Sequence, residues 1–282
     1  MVHSIMVYRY KSSSAEETLS FSTKNPGLLP ETSTRKEPIE PEGAIKISTR
    51  QSSVEQSGRR LWLVRHGLTD WNVQQRFCGH SDISLTVRGQ EQAQWIAEQL
   101  LKESISAIYT SDLMRARETA EIIAGQRTSA VQIKESVAWR EMDFGEWEGL
   151  TYTQIVEQYK GHIKFFTDPE HHSPPNGESL SHMQQRVKDA LSAIVQNDEL
   201  LVAGDVVIVS HGGPLRILLC CILGMPLQRQ WQLQLDPGSL SAIDLLPDYG
   251  SSEPRAILTL LNVQIPTSAV LAAKNSFSSG AT

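Results

Sequence analysis

Two short apolar runs, each ending at a histidine and a glycine, constrain the fold of this chain more than any other feature. The runs are Leu61–Val64 and Val206–Val209. Arg65 and His66 follow the first run, and His211 follows the second. Apolar runs of this length are typical of core strands in an α/β sheet, which binds its ligands beyond the carboxyl ends of the strands. We therefore expect two strands to place both histidines at one edge of a sheet.

A histidine at the end of a strand can be structural or functional. Taken alone, such a residue is more often a hydrogen-bonded structural residue than a catalyst. Here both His66 and His211 follow β-branched runs and precede glycine, and Arg65 stands beside the first of them. A basic side chain at a buried strand end needs a partner. The combination favours a functional site over two unrelated structural histidines.

The composition excludes several classes of function. The chain has 282 residues and a formal net charge of -6, so nucleic acid and anionic membranes are not expected partners. It contains no apolar run long enough to span a membrane. Its three cysteines, Cys78, Cys220 and Cys221, lack the spacing of zinc ligands. We expect reduced thiols, a cytoplasmic location, and neither a metal nor a cofactor.

The sequence predicts one folded domain with an extension at each end. Residues 1–58 are rich in polar residues without an apolar period, which predicts a disordered N-terminal extension. This extension has neither the long apolar core of a secretory signal nor the acid-poor composition of a transit peptide. Residues 59–263 alternate strand and helix patterns, which predicts a three-layer α/β/α domain with a mostly parallel central sheet. Residues 264–282 are predicted to form a flexible tail.

Arg115 is a further candidate for binding an anion. Ile105–Thr110 is predicted to be a strand, and Ser111 is positioned to cap the helix that follows. Arg115 then lies in the first helical turn, where a cation opposes the helix dipole unless an anion is present. The alternative is a surface arginine paired with Glu118 or Glu121. The local pattern favours neither reading.

Several segments of the chain resemble the motifs of one protein family. Leu63–Gly67 resembles the signature of the histidine phosphatase superfamily, which includes the cofactor-dependent phosphoglycerate mutases. Ser111–Ala120 resembles the second phosphate-binding motif of that family. Further motifs follow in the family's order at Trp139–Gly149, Pro174–Leu180 and His211–Arg216. The resemblance covers residues 60 to about 262 and implies a phosphoglycerate mutase-like fold.

The resemblance also implies a nucleophile and a clamp for a phosphoryl group. His66 matches the family's nucleophile, which attacks phosphorus and forms a phosphohistidine. Arg65, Arg115 and His211 would bind the phosphoryl oxygens, because arginine presents a planar fork of donors that matches phosphate. Asn72 would add a neutral donor. The predicted substrate-binding residues are Thr69, Asn72 and Gly212.

An aromatic and acidic loop over residues 139–149 contains the predicted proton donor. The resemblance singles out Glu141, which would protonate the leaving oxygen and then accept a proton from the attacking water. Glu146 and Glu148 in the same loop remain alternatives.

The loop at Pro174–Leu180 contains polar residues that could bind substrate or support the structure. Glu178 or Ser179 could contact substrate, although capping of the following helix suits Ser179 better. His171 and His172 precede this loop without other ligands at metal-binding spacing, so we expect them to be solvated.

The leading prediction is a phosphomonoesterase acting on a small phosphorylated metabolite. A phosphoglycerate mutase-type phosphotransferase is the first alternative. Leu68 disfavours it, because many relatives have glutamate there, and so does the short region between Gly149 and Pro174. A non-catalytic phosphate-binding module is the second alternative, disfavoured because every matching catalytic position is filled.

The substrate and the assembly are less strongly indicated. His211–Arg216 and Trp231–Ser241 resemble α-ribazole phosphatases of cobalamin synthesis, so α-ribazole 5'-phosphate is one candidate substrate. A homodimer is the assembly we consider.

Overall fold

The computed structural model describes residues 59–196, 204–246 and 256–266. The predicted extension over residues 1–58, and the predicted tail beyond residue 266, lie outside this part of the chain. Among the described residues, no helix has both the length and the apolar character needed to cross a membrane. The three cysteines lie within the described ranges and are free thiols.

Within the described ranges, six strands form one mixed sheet. They are Arg59–Arg65 (β1), Ile105–Thr110 (β2), Gln132–Glu135 (β3), Asp205–Ser210 (β4), Leu240–Leu245 (β5) and Ala256–Val263 (β6). The spatial order is β3-β2-β4-β1-β5-β6. The first four strands in this order run parallel to one another, whereas β5 is antiparallel to β1 and β6 is antiparallel to β5. The two strands predicted from the apolar runs, β1 and β4, are therefore neighbours at the centre of the sheet.

Helices cover both faces of this sheet. The helices of the described residues are Asp70–Val73 (α1), Val87–Leu100 (α2), Met114–Gly125 (α3), Tyr152–Gln158 (α4), Leu180–Val195 (α5) and Gly212–Leu223 (α6). Short 3-10 turns occupy Val137–Trp139, Gly145–Trp147, Ile163–Phe166 and Leu227–Gln232. Buried residues of α2 and α3 pack on one face, and buried residues of α5 and α6 pack on the other.

The side chains of β1 alternate between two hydrophobic cores. Leu61 and Leu63 belong to the core that includes α5 and α6, whereas Trp62 and Val64 belong to the core that includes α2 and α3. All four are buried. Successive residues of a strand point to opposite faces, so a strand covered on both sides needs an unbroken apolar run. The prediction of a three-layer α/β/α domain with a mostly parallel sheet is confirmed.

The pairing of β1 with β4 brings the two histidines to the same edge of the sheet. The register places Arg65 opposite Ser210, and the backbone N–H of His66 donates to the carbonyl of Ser210 at 3.0 Å. His211 is the next residue after Ser210. The two strands thus end at the same level, as expected from their sequences.

The start of α3 differs from the prediction. The helix begins at Met114, and its N-cap residue is Leu113, whose side chain makes no capping bond. Ser111 Oγ accepts from the Leu113 backbone N–H at 3.2 Å, and Asp82 Oδ1 accepts from the Met114 backbone N–H at 2.6 Å. The prediction that Ser111 caps the helix is wrong, because an acid distant in sequence satisfies the helix terminus.

The loop after β1 packs directly on the backbone of α2. A Cβ atom on Gly67 would lie 2.3 Å from the carbonyl oxygen of Gly89, and a Cβ atom on Gly89 would lie 2.2 Å from that of Leu68. The two backbones touch, which only glycine permits. This contact holds the loop that follows His66 against a rigid helix.

We predict that Gly89→Ala destabilises the protein by about 1–3 kcal/mol, because the new methyl group overlaps a backbone carbonyl that cannot rotate away. Gly125→Ala is the matched control, since Gly125 is also helical and a Cβ atom there would have no neighbour within 4 Å. The control should be neutral or more stable by up to about 1 kcal/mol. Urea unfolding of both variants measures the difference, and equal stabilities would contradict the prediction.

Candidate active site

His66 and His211 face each other in a buried site at the carboxyl ends of β1 and β4. Their ring centroids are 5.0 Å apart, and the ring planes meet at 60°. Both side chains are buried. Arg65 ends β1, and Arg115 reaches the site from the first turn of α3. The structure therefore brings together the predicted nucleophile and the three predicted phosphate-binding residues.

The hydrogen bond at His66 determines which ring nitrogen can react. Nδ1 lies 2.7 Å from the carbonyl oxygen of Gly67. A carbonyl only accepts, so Nδ1 carries the proton in the neutral ring and Nε2 keeps its lone pair. Nε2 is consequently the nitrogen available for attack on an electrophile.

His211 has the opposite tautomer. Its Nδ1 accepts from Arg115 Nε at 3.2 Å, and an arginine only donates, so the proton of the neutral ring is on Nε2. Within the described part of the chain, this buried Nε2 has no hydrogen-bond partner. A buried unpaired donor costs free energy unless a ligand accepts from it. His211 thus presents an N–H group suited to an anionic oxygen.

Burial and the surrounding arginines keep both rings neutral. Burial lowers the pKa of His66 well below its ordinary value of 6.5, and the charges of Arg115 and Arg65 lower it further. The pKa of His211 is also well below 6.5, because of burial, then Arg115, then His66 and Arg65. At neutral pH the ring of His66, the predicted nucleophile, is therefore unprotonated without the help of a base.

Arg115 is buried, with 1% of its surface exposed, and neutral acceptors hold it. Its terminal nitrogens donate to the backbone carbonyls of Gly79 at 2.7 Å, Ser81 at 2.9 Å and Cys78 at 3.3 Å. The alternative of a surface arginine paired with Glu118 or Glu121 is wrong. Glu118 instead accepts from the backbone N–H of Leu85 at 2.8 Å. Carbonyl groups orient the guanidinium but leave its charge available to an anion.

Arg216, a partly buried arginine beside Arg65, was not predicted as a site residue. Arg65 Nη1 donates to the carbonyl of Leu235 at 2.6 Å, while Arg216 Nε donates to that of Leu233 at 2.9 Å. A Cβ atom on Gly212 would lie 3.1 Å from Arg216 Nη1 and 3.4 Å from Arg65 Cζ. Burial and the charge of Arg216 lower the pKa of Arg65 to about 10. Arg216 lies one turn after Gly212 on α6, and this spacing is the sequence signal that could have identified it as a site residue.

Glu141 lies at the N-terminus of α6, next to the histidine pair. Its carboxylate accepts from the backbone N–H of Gly213, at 3.1 Å to each oxygen, and from that of Met142 at 2.9 Å. The side chain is 8% exposed.

The two alternative acids are engaged elsewhere. Glu148 accepts from the backbone N–H groups of His80 at 2.6 Å and Ser81 at 2.9 Å, and also from the Ser81 hydroxyl. It therefore holds the loop whose carbonyls bind Arg115. Glu146 is exposed and accepts from the side-chain amide of Asn176 at 2.7 Å.

Thr69 and Asn72 cap the short helix α1. Asn72 Oδ1 accepts from the backbone N–H of Thr69 at 3.1 Å, and Thr69 Oγ1 accepts from that of Asn72 at 3.3 Å. These bonds occupy the oxygen of the Asn72 side chain and leave its amide group for the predicted role as a donor. That role, and those of Thr69 and Gly212, stay predictions.

The polar residues of the loop before α5 have structural partners. Ser179 caps α5 by accepting from the backbone N–H of His182 at 3.2 Å. Glu178 forms an ion pair with Arg186 at 2.7 Å. His171 bonds to Asp168 at 2.8 Å, and no group of three or more potential metal ligands occurs in the described ranges.

We predict that the two neutral histidines make stability depend on pH. Their pKa values lie below 6.5 in the folded chain and near 6.5 in the unfolded chain, so the unfolded chain binds more protons below that pH. The free energy of unfolding should fall by up to about 1.4 kcal/mol per pH unit for each histidine as the pH drops below 6.5. Urea titrations down to about pH 5 should show a shallower fall for a variant carrying both His66→Asn and His211→Asn. If the free energy of unfolding falls equally with pH in both proteins, the conclusion that the two histidines are neutral in the folded chain is contradicted.

Comparison with known proteins places this geometry in a family. The model of the histidine phosphatase superfamily (branch 1) matches residues 61–253. The chain is 34% identical over 187 residues to an adenosylcobalamin/alpha-ribazole phosphatase of Escherichia coli K12, covering 66% of this chain and 90% of that protein. It is also 34% identical over 186 residues to a probable phosphoglycerate mutase of Serratia proteamaculans, covering 66% and 84% of the two chains.

A solved structure supports the same placement. The crystal structure of the alpha-ribazole phosphatase from Shigella flexneri matches with a TM-score of 0.63 and 32% identity, over 72% of this chain and 96% of that one. The sequence match and the structural match both span nearly the whole relative. The chain therefore belongs to the histidine phosphatase superfamily, branch 1.

Proposed function

We propose that this protein is a phosphomonoesterase that hydrolyses a small phosphorylated metabolite through a phosphohistidine on His66. One observation carries the proposal. The unprotonated Nε2 of His66 and the unpaired Nε2–H of His211 share a buried site with guanidinium groups that have no carboxylate partner in the described part of the chain. A nucleophile surrounded by donors without an anion fits a phosphoryl group.

The reaction proceeds in two displacements. In the first, His66 Nε2 forms a bond to phosphorus, the bond from phosphorus to the leaving oxygen breaks, and Glu141 gives that oxygen a proton. In the second, a water oxygen attacks phosphorus and the bond to Nε2 breaks. Glu141 takes a proton from the water, and inorganic phosphate leaves. Each displacement avoids the unassisted attack of water on a phosphate monoester.

The charged and neutral donors stabilise the phosphoryl oxygens in both steps. Arg65, Arg115 and His211 bind these oxygens, and Arg216 adds positive charge beside Arg65. Because each guanidinium is already oriented by backbone carbonyls, little reorganisation is needed as charge develops. Thr69, Asn72 and Gly212 complete the proposed substrate contacts. Catalysis of this kind requires no metal ion.

The proposal favours hydrolysis over transfer between substrate positions. Leu68 supplies no polar group beside the site, and its backbone N–H is bound by Gln92 at 2.8 Å. The phosphatase names of the relatives from E. coli and S. flexneri support α-ribazole 5'-phosphate as one substrate to test. We propose a cytoplasmic enzyme.

The first experiment measures phosphate release from a panel of phosphomonoesters together with labelling of the protein. Rapid quenching with substrate should leave acid-labile, base-stable phosphate on His66. His66→Ala should lose several powers of ten in turnover, because the covalent route is removed. His182→Ala, on the exposed surface of α5, is the control and should keep full activity. Full turnover by His66→Ala would refute the mechanism.

A second prediction assigns the acid. Glu141→Gln keeps the shape of the side chain but cannot transfer a proton, so turnover of an alkyl phosphate should fall roughly 10²- to 10⁴-fold. Hydrolysis of p-nitrophenyl phosphate should fall much less, since nitrophenolate leaves without a proton. The exposed Glu146→Gln is the matched control and should change neither rate. Equal losses on both substrates would show that Glu141 is not the acid.

A further inference from the structure

Two backbone hydrogen bonds join the acidic loop over residues 139–149 to the loop that precedes α5. The backbone N–H of Glu178 donates to the carbonyl of Asp143 at 2.8 Å, and that of Glu146 donates to the carbonyl of Pro175 at 3.0 Å. The acidic loop that carries Glu141 is thereby joined to the loop that precedes α5. Backbone contacts of this kind bring the loops together but do not touch Glu141 itself.

One side chain joins these loops to the backbone of Glu141. Arg186, in the second turn of α5, donates through Nε and Nη2 to the two carboxylate oxygens of Glu178, both at 2.7 Å. Its Nη1 donates to the carbonyls of Ala138 at 2.9 Å and Arg140 at 2.7 Å, and its Nη2 donates to that of Glu141 at 3.1 Å. All five N–H groups of the guanidinium are therefore bonded.

The chemistry of this arrangement suits positioning. Three bonds from Arg186 hold the backbone carbonyls of Ala138, Arg140 and Glu141, and Glu178 neutralises the cation that makes these bonds. The side chains of Arg186 and Glu178 are 18% and 9% exposed, so water cannot readily replace the bonds. Planar, bidentate pairing fixes the orientation of the guanidinium, which lysine could not reproduce.

We propose that Arg186, held by Glu178, is a positioning residue that sets the place of the Glu141 carboxyl group for proton transfer. This inference rests on the proposed function, because it concerns the acid of that reaction. The Glu141 carboxylate accepts from the backbone N–H groups of Gly213 and Met142, and its backbone carbonyl accepts from Arg186 Nη2 and from His80 Nε2, both at 3.1 Å. Loss of Arg186 removes the donor to the carbonyls of Ala138 and Arg140 and one of the two donors to that of Glu141. The segment can then shift, and displacements of about 1 Å can reduce catalysis on the order of 10²-fold.

The test compares Arg186→Met with a matched buried ion pair. Arg60 pairs with Asp244 at 2.6 Å, with side chains 10% and 17% exposed, at the opposite end of β1 from Arg65. Arg60→Met therefore removes a comparable ion pair that has no bond to Glu141. Each variant is assayed with an alkyl phosphate and with p-nitrophenyl phosphate, and its melting temperature and vanadate affinity are measured.

Arg186→Met should lower turnover of the alkyl phosphate by roughly 10- to 100-fold and that of p-nitrophenyl phosphate less than about threefold. Vanadate affinity should be unchanged. Arg60→Met should lower the melting temperature without changing the ratio of the two turnover rates. Arg186→Lys should not restore the ratio, since the fork of donors is lost. Equal losses on both substrates would overturn the proposal.

A double-mutant cycle separates positioning from a general effect on the fold. In the Glu141→Gln background, Arg186→Met should cause no further change in the ratio, because the residue through which it acts is already disabled. An additive change would overturn the proposal. If Arg186→Met does not fold, Glu178→Gln replaces it in the same cycle, with the same expected direction.

The controls distinguish this proposal from the proposed function. Absence of label on His66, or equal losses on both substrates for Glu141→Gln, would refute the proposed function. If Glu141→Gln shows the dependence on leaving group and Arg186→Met does not, only the positioning role is refuted.

Discussion

The parallel pairing of β1 with β4 is the constraint on which the site depends. Both strands are buried on both faces, so a slip of one residue would exchange the side chains that fill the two cores. The core therefore determines the register, and the register sets the level at which the strands end. His66 is the residue after β1 and His211 is the residue after β4. A hydrogen bond from the His66 backbone N–H to the Ser210 carbonyl joins the two strand ends. The packing of apolar residues thus sets the relative position of the histidines.

Buried or partly buried cations, oriented by neutral groups, give the site its charge. Arg65, Arg115 and Arg216 each donate to backbone carbonyls. Such bonds orient a guanidinium without neutralising it, and a buried charge without a counter-charge destabilises the folded protein. An anionic ligand offsets that cost, so the same arrangement that costs folding free energy favours the binding of an anion. Burial is the largest cause of the lowered pKa of both histidines, and the charges of Arg115 and Arg65 lower it further. The cations that would bind an anion thus also help to keep the predicted nucleophile neutral.

The carboxylates of the acidic loop and of the loop before α5 differ in what they contact. Glu148 holds the backbone of the loop that in turn holds Arg115, and Glu178 orients Arg186. Glu141, by contrast, lies at a helix N-terminus beside the histidines. The supporting carboxylates bond to backbone N–H groups or to a guanidinium, as expected for rigid elements around a reactive centre.

The sequence by itself determined the two central strands, because only strands covered on both faces need such unbroken apolar runs, and its motifs identified His66, Arg115 and Glu141 as candidates. It could not decide whether Arg115 was buried or exposed, since both readings satisfy the same helical pattern. Nor could it show the partners of Arg186 and Arg216, which are backbone carbonyls distant in the sequence and, for Arg186, also the carboxylate of Glu178. A carbonyl is present at every residue and leaves no mark in the sequence. Only the tertiary structure decided which carbonyls hold which arginine, because that depends on how the loops pack together.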